Sequence, residues 1–88
     1  MGTYEGWQFA AARTAAGLRY LDVAKKADVA IQTIVNVERM PQIVISEKKV
    51  KGAVTPDVLN RLIAVYEKLG FKLTPGTESR LARVEKIK

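Results

Sequence analysis

Gln32 and Asn36 stand four residues apart in the segment IQTIVNVER, which contains no helix breaker. On a helix that spacing places two amides one turn apart on one face. A primary amide offers donors and an acceptor side by side, so it can engage two neighbouring polar atoms of one planar partner, such as the edge of an adenine. Ile31, Thr33 and Val35 occupy the rest of that outer face and present methyl groups, which suit a thymine methyl and equally suit the surface of another protein. Downstream, Lys48, Lys49 and Lys51 form a basic cluster. Such a cluster fits phosphate oxygens, although the commonest use of a charge run is a solvated loop.

Other chemistries lack their residues. The 88-residue chain contains neither Cys nor His, which removes disulfides, thiol nucleophiles, imidazole acid/base groups and the usual zinc ligands. No Asp/Glu pair recurs at a spacing that fits acid/base work, and no GxxxxGK loop is present. Neither catalysis nor a cofactor is therefore expected. The first residues lack a secretory pattern, Gly6 stands where a myristoylation motif needs Ser or Thr, and no apolar stretch approaches the roughly 20 residues of a membrane span. These absences predict a cytoplasmic protein with no membrane contact.

Net charge is +6, but it is uneven: residues 1–44 hold five Lys/Arg against four Asp/Glu, while residues 45–88 hold ten against five. The positive half is drawn to a polyanion or to an acidic protein surface.

The elements that must position these side chains follow from apolar spacing and turn chemistry. A first helix is predicted over Glu5 to Ala16, with Phe9, Ala12 and Ala16 inward and Gly17 at its left-handed C-cap. Tyr4 and Trp7 read as packing residues beside Phe9. A second helix over Tyr20 to Ala27 buries Val23, Ala24 and Ala27, and Asp28 sits where the chain must bend, a position that Asp tolerates better than most residues. Val29 then plugs the core, and a third helix over Ile31 to Arg39 turns Ile34 and Val37 inward before Pro41 stops it. Arg13 to Glu38 thus outlines a helix-turn-helix, in which the second helix of the pair enters the major groove of duplex DNA.

Gln42 to Val54 carries two β-branched runs around a charged centre and reads as a hairpin or an ordered loop. Thr55, Pro56 and Asp57 begin a fourth helix through a hydroxyl cap, a proline at its first position and a carboxylate at the positive dipole end. In that helix Leu59, Leu62, Ile63 and Tyr66 form one apolar band, which Val58, Val65 and Leu69 widen beyond what one core stripe requires. The excess predicts that the tail or a second copy covers it, with Val58, Val65 and Leu69 as the dimer contact. In the tail, FKL reads as a short strand, while TESRLARVEKIK fits a helix with Leu81 and Val84 inward or a returning strand; propensity favours the helix.

Arg13, Gly17 and Leu18 in RxxxGL, then Ala24, Val29, Ile34 and the Val37–Glu38 pair, resemble the lambda-repressor/Cro-like helix-turn-helix family of bacterial and phage regulators, also called the XRE family. The resemblance covers roughly Phe9 to Leu73. It implies a single all-α domain of four to five helices over residues 1–88, with a helix-turn-helix unit over about 20–39, a basic insert over about 41–54 and a tail over about 71–88. It leaves room for a small β-hairpin after the third helix or at the C-terminus. At the bend the family's usual Gly is Asp28, its usual Ser or Thr caps are Arg19 and Ala30, and its frequent Gln at the start of the second helix is Tyr20. Each missing cap costs roughly 1 kcal/mol.

The resemblance also implies roles. Arg13 and Glu38 form a structural ion pair; Ile31, Gln32, Thr33, Val35 and Asn36 face DNA bases; Arg19, Tyr20, Lys25, Arg39, Lys48, Lys49 and Lys51 hold phosphates. The expected partner is double-stranded DNA, bound by a homodimer that controls transcription. The alternative expectation is a protein-binding module, anti-activator or antitoxin-like, that uses Ile31, Val35 and the fourth helix.

Overall fold

A computed structural model describes residues 2–87; Met1 and Lys88, the outermost residues of the expected domain and tail, lie outside the described residues. Among the described residues four helices come first, α1 (Gly6–Ala15), α2 (Tyr20–Ala27), α3 (Ile31–Arg39) and α4 (Pro56–Lys68), and two strands follow, β1 (Phe71–Thr74) and β2 (Arg83–Lys86). None of these helices is long and apolar enough to cross a membrane.

The bends before α2 and before α3 have the left-handed backbone that their residues permit. Gly17 has φ 71° and Asp28 has φ 57°. Asp28 N–H returns to the Ala24 carbonyl, which closes α2, and Val29 N–H reaches the same oxygen at 3.1 Å. Between α2 and α3 the buried residues Val23, Ala24, Ala27, Ile34 and Val37 interlock, and Phe9 and Ala12 of α1 pack into the same cluster.

α1 approaches the end of α3 unusually closely. Gly6 N–H donates to the Met40 carbonyl at 2.9 Å. A Cβ on Gly6 would lie 2.5 Å from the carbonyl oxygens of both Met40 and Val37, so only glycine fits there.

The all-α expectation is overturned, because the fold is a mixed α/β one in which the tail forms an antiparallel sheet with the chain after α4. Phe71 pairs with Lys86, Lys72 with Glu85, Leu73 with Val84 and Thr74 with Arg83. Phe71 and Leu73 are buried and pack into the core with α4, while Lys72 between them is exposed. A strand in that position needs partners for its backbone groups, and the returning tail supplies them. This requirement outweighs the helical propensity of TESRLARVEKIK. Leu81, expected inward on a fifth helix, is 89% exposed, and Ala82 is buried in its place. The chain start adds a further link, with Thr3 and Gly76 exchanging two hydrogen bonds of 2.8 Å.

Gln8 locks this sheet to α1. Its side chain is fully buried, accepts from Glu5 N–H at 2.8 Å, and donates to the Thr74 and Arg83 carbonyls at 2.8 and 3.0 Å. A buried amide satisfied on both sides is a strong tie, whereas an unsatisfied one would cost about 1–3 kcal/mol.

The broad apolar face of α4 is largely spent within the chain. Val65, expected at a dimer contact, is buried at 7% exposure in the core cluster, and Val58 is half-buried against that cluster; Leu69 remains 38% exposed. Tyr66 is fully buried and its ring lies 6.3 Å from that of Phe9. Burial, then the nearby charge of Glu38, pushes its hydroxyl pKa up, with Arg13 opposing.

Candidate nucleic-acid interface

The α2–α3 pair is held from behind by Arg13. Its guanidinium grips the Glu38 carboxylate with two hydrogen bonds, 2.8 Å from Nε and 3.1 Å from Nη2, and donates from Nη1 to the Leu18 carbonyl at 3.2 Å. Its Cζ lies 4.2 Å from the centroid of the Tyr20 ring. One side chain therefore joins α1, the turn after it, the start of α2 and the end of α3. The hydrogen bond to Glu38 is the main reason the Arg13 pKa is raised. The Glu38 side chain is only 6% exposed, so the pair sits where a lone charge would be costly.

α2 lacks a Ser/Thr cap at Arg19, yet its start is not bare. The Arg19 N–H donates to the Asp22 carboxylate at 2.8 Å, the half of a capping box that the third helical residue supplies. That bond is the largest cause of the lowered Asp22 pKa. α3 has no side-chain cap at Ala30.

Arg61 braces the bend from α4. It donates to the Asp28 carbonyl at 3.2 Å, and its charge lies 3.0 Å from Asp57 and 3.6 Å from Asp28. The sequence reading missed Arg61, although its spacing of four from Asp57 on one helix marks an ion pair.

The outward face of α3 carries the five expected base-contact residues. Ile31, Gln32 and Asn36 are exposed, while Thr33 and Val35 are half-buried. Gln32 Nε2 donates to Asn36 Oδ1 at 3.0 Å, which aligns the two amides along the helix and leaves the Gln32 carbonyl and the Asn36 amino group for other partners.

The insert is an ordered loop and not a hairpin. Ile45 and Val54 bridge in the parallel sense, Val54 N–H donates to Val44 at 2.8 Å and Ser46 N–H to Val54 at 3.0 Å. Hairpin arms run antiparallel, so this closure belongs to a loop that crosses back on itself. Ile43 and Val54 are each 5% exposed and anchor its two ends in the core. Between them, Lys48, Lys49 and Lys51 are all exposed.

Loop and helix meet at a cleft of about 510 Å³ whose rim includes Thr33, Asn36 and Arg39 from α3, Lys49 and Lys51 from the loop, and Val58 from α4. Val58, predicted for a dimer contact, thus lies at this cleft. Lys48 shares the loop but does not line the cleft, and Lys25, Arg19 and Tyr20 lie in or just before α2. Of these, Lys25 is exposed, Arg19 has an 84% exposed side chain 3.6 Å from Asp22, and Tyr20 keeps an edge in solvent beneath Arg13. The arrangement offers amides and methyl groups beside ammonium and guanidinium groups, a set suited to base edges flanked by phosphates.

No family model matches the chain, and no match is found among curated proteins or solved structures.

Proposed function

We propose that the chain is a cytoplasmic, sequence-specific regulator of transcription that binds duplex DNA as a homodimer, in the manner of the lambda-repressor/Cro-like proteins it resembles over roughly Phe9 to Leu73. The observation that carries this reading is the cleft shared by the exposed amide-bearing face of α3 and a core-anchored loop bearing Lys49 and Lys51. In this reading α3 enters the major groove, Gln32 and Asn36 read bases, and the loop lysines follow the phosphate backbone. Arg39 supports the same strand contact. A domain this small makes few base contacts, so two half-sites are needed for useful specificity. Selection of bound sequences from random duplex DNA tests the proposal. Enrichment of a two-fold symmetric site is the expected result, and no enrichment contradicts it.

A second reading, a helix-turn-helix fold used to bind protein, is favoured by the apolar exposure on α3 and the loop: Ile31 43%, Val44 55%, Ile45 49% and Val50 54%. Charge reversal of Lys48, Lys49 and Lys51 separates the two. Loss of DNA binding supports the first reading, and partner capture by a protein that never binds DNA supports the second.

A further inference from the structure

The sheet ends at β2, and the hydrogen-bonding pattern shows which of its backbone groups face outward. Ile87 N–H donates to the Gly70 carbonyl at 2.7 Å, which sets the alternation of the antiparallel ladder. With the register of β1 and β2, residues 83 and 85 turn their N–H and C=O groups toward β1, and Val84 and Lys86 turn theirs away. Gln8 supports this phase, since its one amino group reaches both Thr74 and Arg83 carbonyls, which lie close together only in a hydrogen-bonded pair. Among the described residues no hydrogen bond uses the outward groups of Val84 or Lys86. An edge of this kind is a template for another strand.

We infer that the partner is a second copy of the chain, with β2 pairing antiparallel to its own copy about a two-fold axis at Val84. The proposal rests on the dimeric reading above and gives that dimer its contact surface. A self-pairing must match outward groups with outward groups, which allows a two-fold at Val84 or at Glu85 but not between them. Charge then chooses. A two-fold at Glu85 sets Glu85 against the partner's Glu85 and Val84 against the partner's Lys86. A two-fold at Val84 sets Arg83 against the partner's Glu85, and Val84 against the partner's Val84.

The side chains fit this second register. Arg83 Nε and Glu85 Oε1 already lie 3.1 Å apart on the outer face with side chains 55% and 45% exposed, so two copies form a cluster of four alternating charges. On the inner face Val84 is half-buried beside Leu73, and pairing continues that apolar row across the axis. Extending the alternation two residues beyond the Arg83–Glu85 pair places Leu81, 89% exposed, opposite the partner's Ile87, 59% exposed in this chain. Both large apolar side chains then gain cover that the single chain does not provide.

Sedimentation of the whole protein without DNA tests the pairing. The wild type is expected to dimerise, Arg83→Glu and Glu85→Arg each to weaken dimerisation on the order of tenfold by setting like charges opposite one another, and the double swap to restore it. Lys86→Pro provides a second test, because it removes an outward N–H that the single chain does not use while leaving the inner ladder intact. It is expected to give a folded monomer, with folding checked by thermal melting. Dimers that ignore all four variants overturn the strand pairing while leaving the dimeric reading. A wild type that stays monomeric alone and on DNA overturns both.

Discussion

Around Arg13 most polar groups are engaged, the buried Tyr66 hydroxyl excepted: the guanidinium holds Glu38 and the Leu18 carbonyl and covers Tyr20, and elsewhere on α1 Gln8 is satisfied on three sides. On the outer face of α3 the situation is the reverse. Gln32 and Asn36 bond each other across one turn, and the loop lysines stand in solvent. The first region spends its hydrogen-bonding capacity on holding two helices at a fixed angle. The second leaves the Gln32 carbonyl, the Asn36 amino group and the loop lysines exposed, which the proposed function assigns to DNA. Substitutions in the first should therefore alter stability, and substitutions in the second should alter binding while leaving stability nearly unchanged.

The largest expected effect lies where α1 meets the end of α3. Gly6→Ala forces a methyl group into backbone oxygens that cannot rotate away, and should cost about 3 kcal/mol or more in denaturant unfolding. A loss under about 1 kcal/mol would mean that the helices can part at that point without consequence.

The Arg13–Glu38 pair comes next. Glu38→Ala strands the guanidinium beside a buried site and should cost about 3 kcal/mol, more than the double change of Arg13 and Glu38 to Ala. Equal losses would show that the pair is solvated and does not act as a buried brace.

Asp28→Gly should act in the opposite direction. Glycine relieves the left-handed backbone, worth up to about 1 kcal/mol of added stability, and keeps the carbonyl that Arg61 binds. Only the carboxylate 3.6 Å from Arg61 disappears, and with the Asp28 side chain 97% exposed it contributes little. Destabilisation measured by thermal melting would instead assign the bracing to that carboxylate.

The positions of α2 and α3 were legible in the sequence because their signals are local. Gly17 and Asp28 stand at the two left-handed bends, and the apolar spacing between and after them leads to α2 and α3 over Tyr20–Ala27 and Ile31–Arg39. In the tail the FKL strand was legible, but the return was left between helix and strand and weighted to helix, because TESRLARVEKIK is adequate as a helix on its own and becomes a strand only when β1 presents an unpaired edge. Val65 was misplaced for the same reason, since the width of an apolar face does not say whether the chain itself will cover it. Gly6 and Gln8 carried a faint signal. Glu5 and Gln8 have the three-residue spacing of a helix start, but nothing local reports that α3 and the sheet will close over them. At the candidate interface the outward face of α3 was legible from helical periodicity. The loop's approach to it was not, because it depends on Ile43 and Val54 entering a core formed by distant residues.

Binding of duplex DNA measured against salt, for the wild type and for a variant with Lys48, Lys49 and Lys51 changed to Glu, tests the central claim most directly. The wild type should lose affinity steeply as salt rises, and the variant's log–log slope should be shallower by roughly 0.9 for each phosphate that the loop no longer neutralises. The variant's unfolding free energy should stay within about 0.5 kcal/mol of the wild type. Wild-type binding that does not respond to salt, or a variant whose slope matches the wild type, would contradict the account.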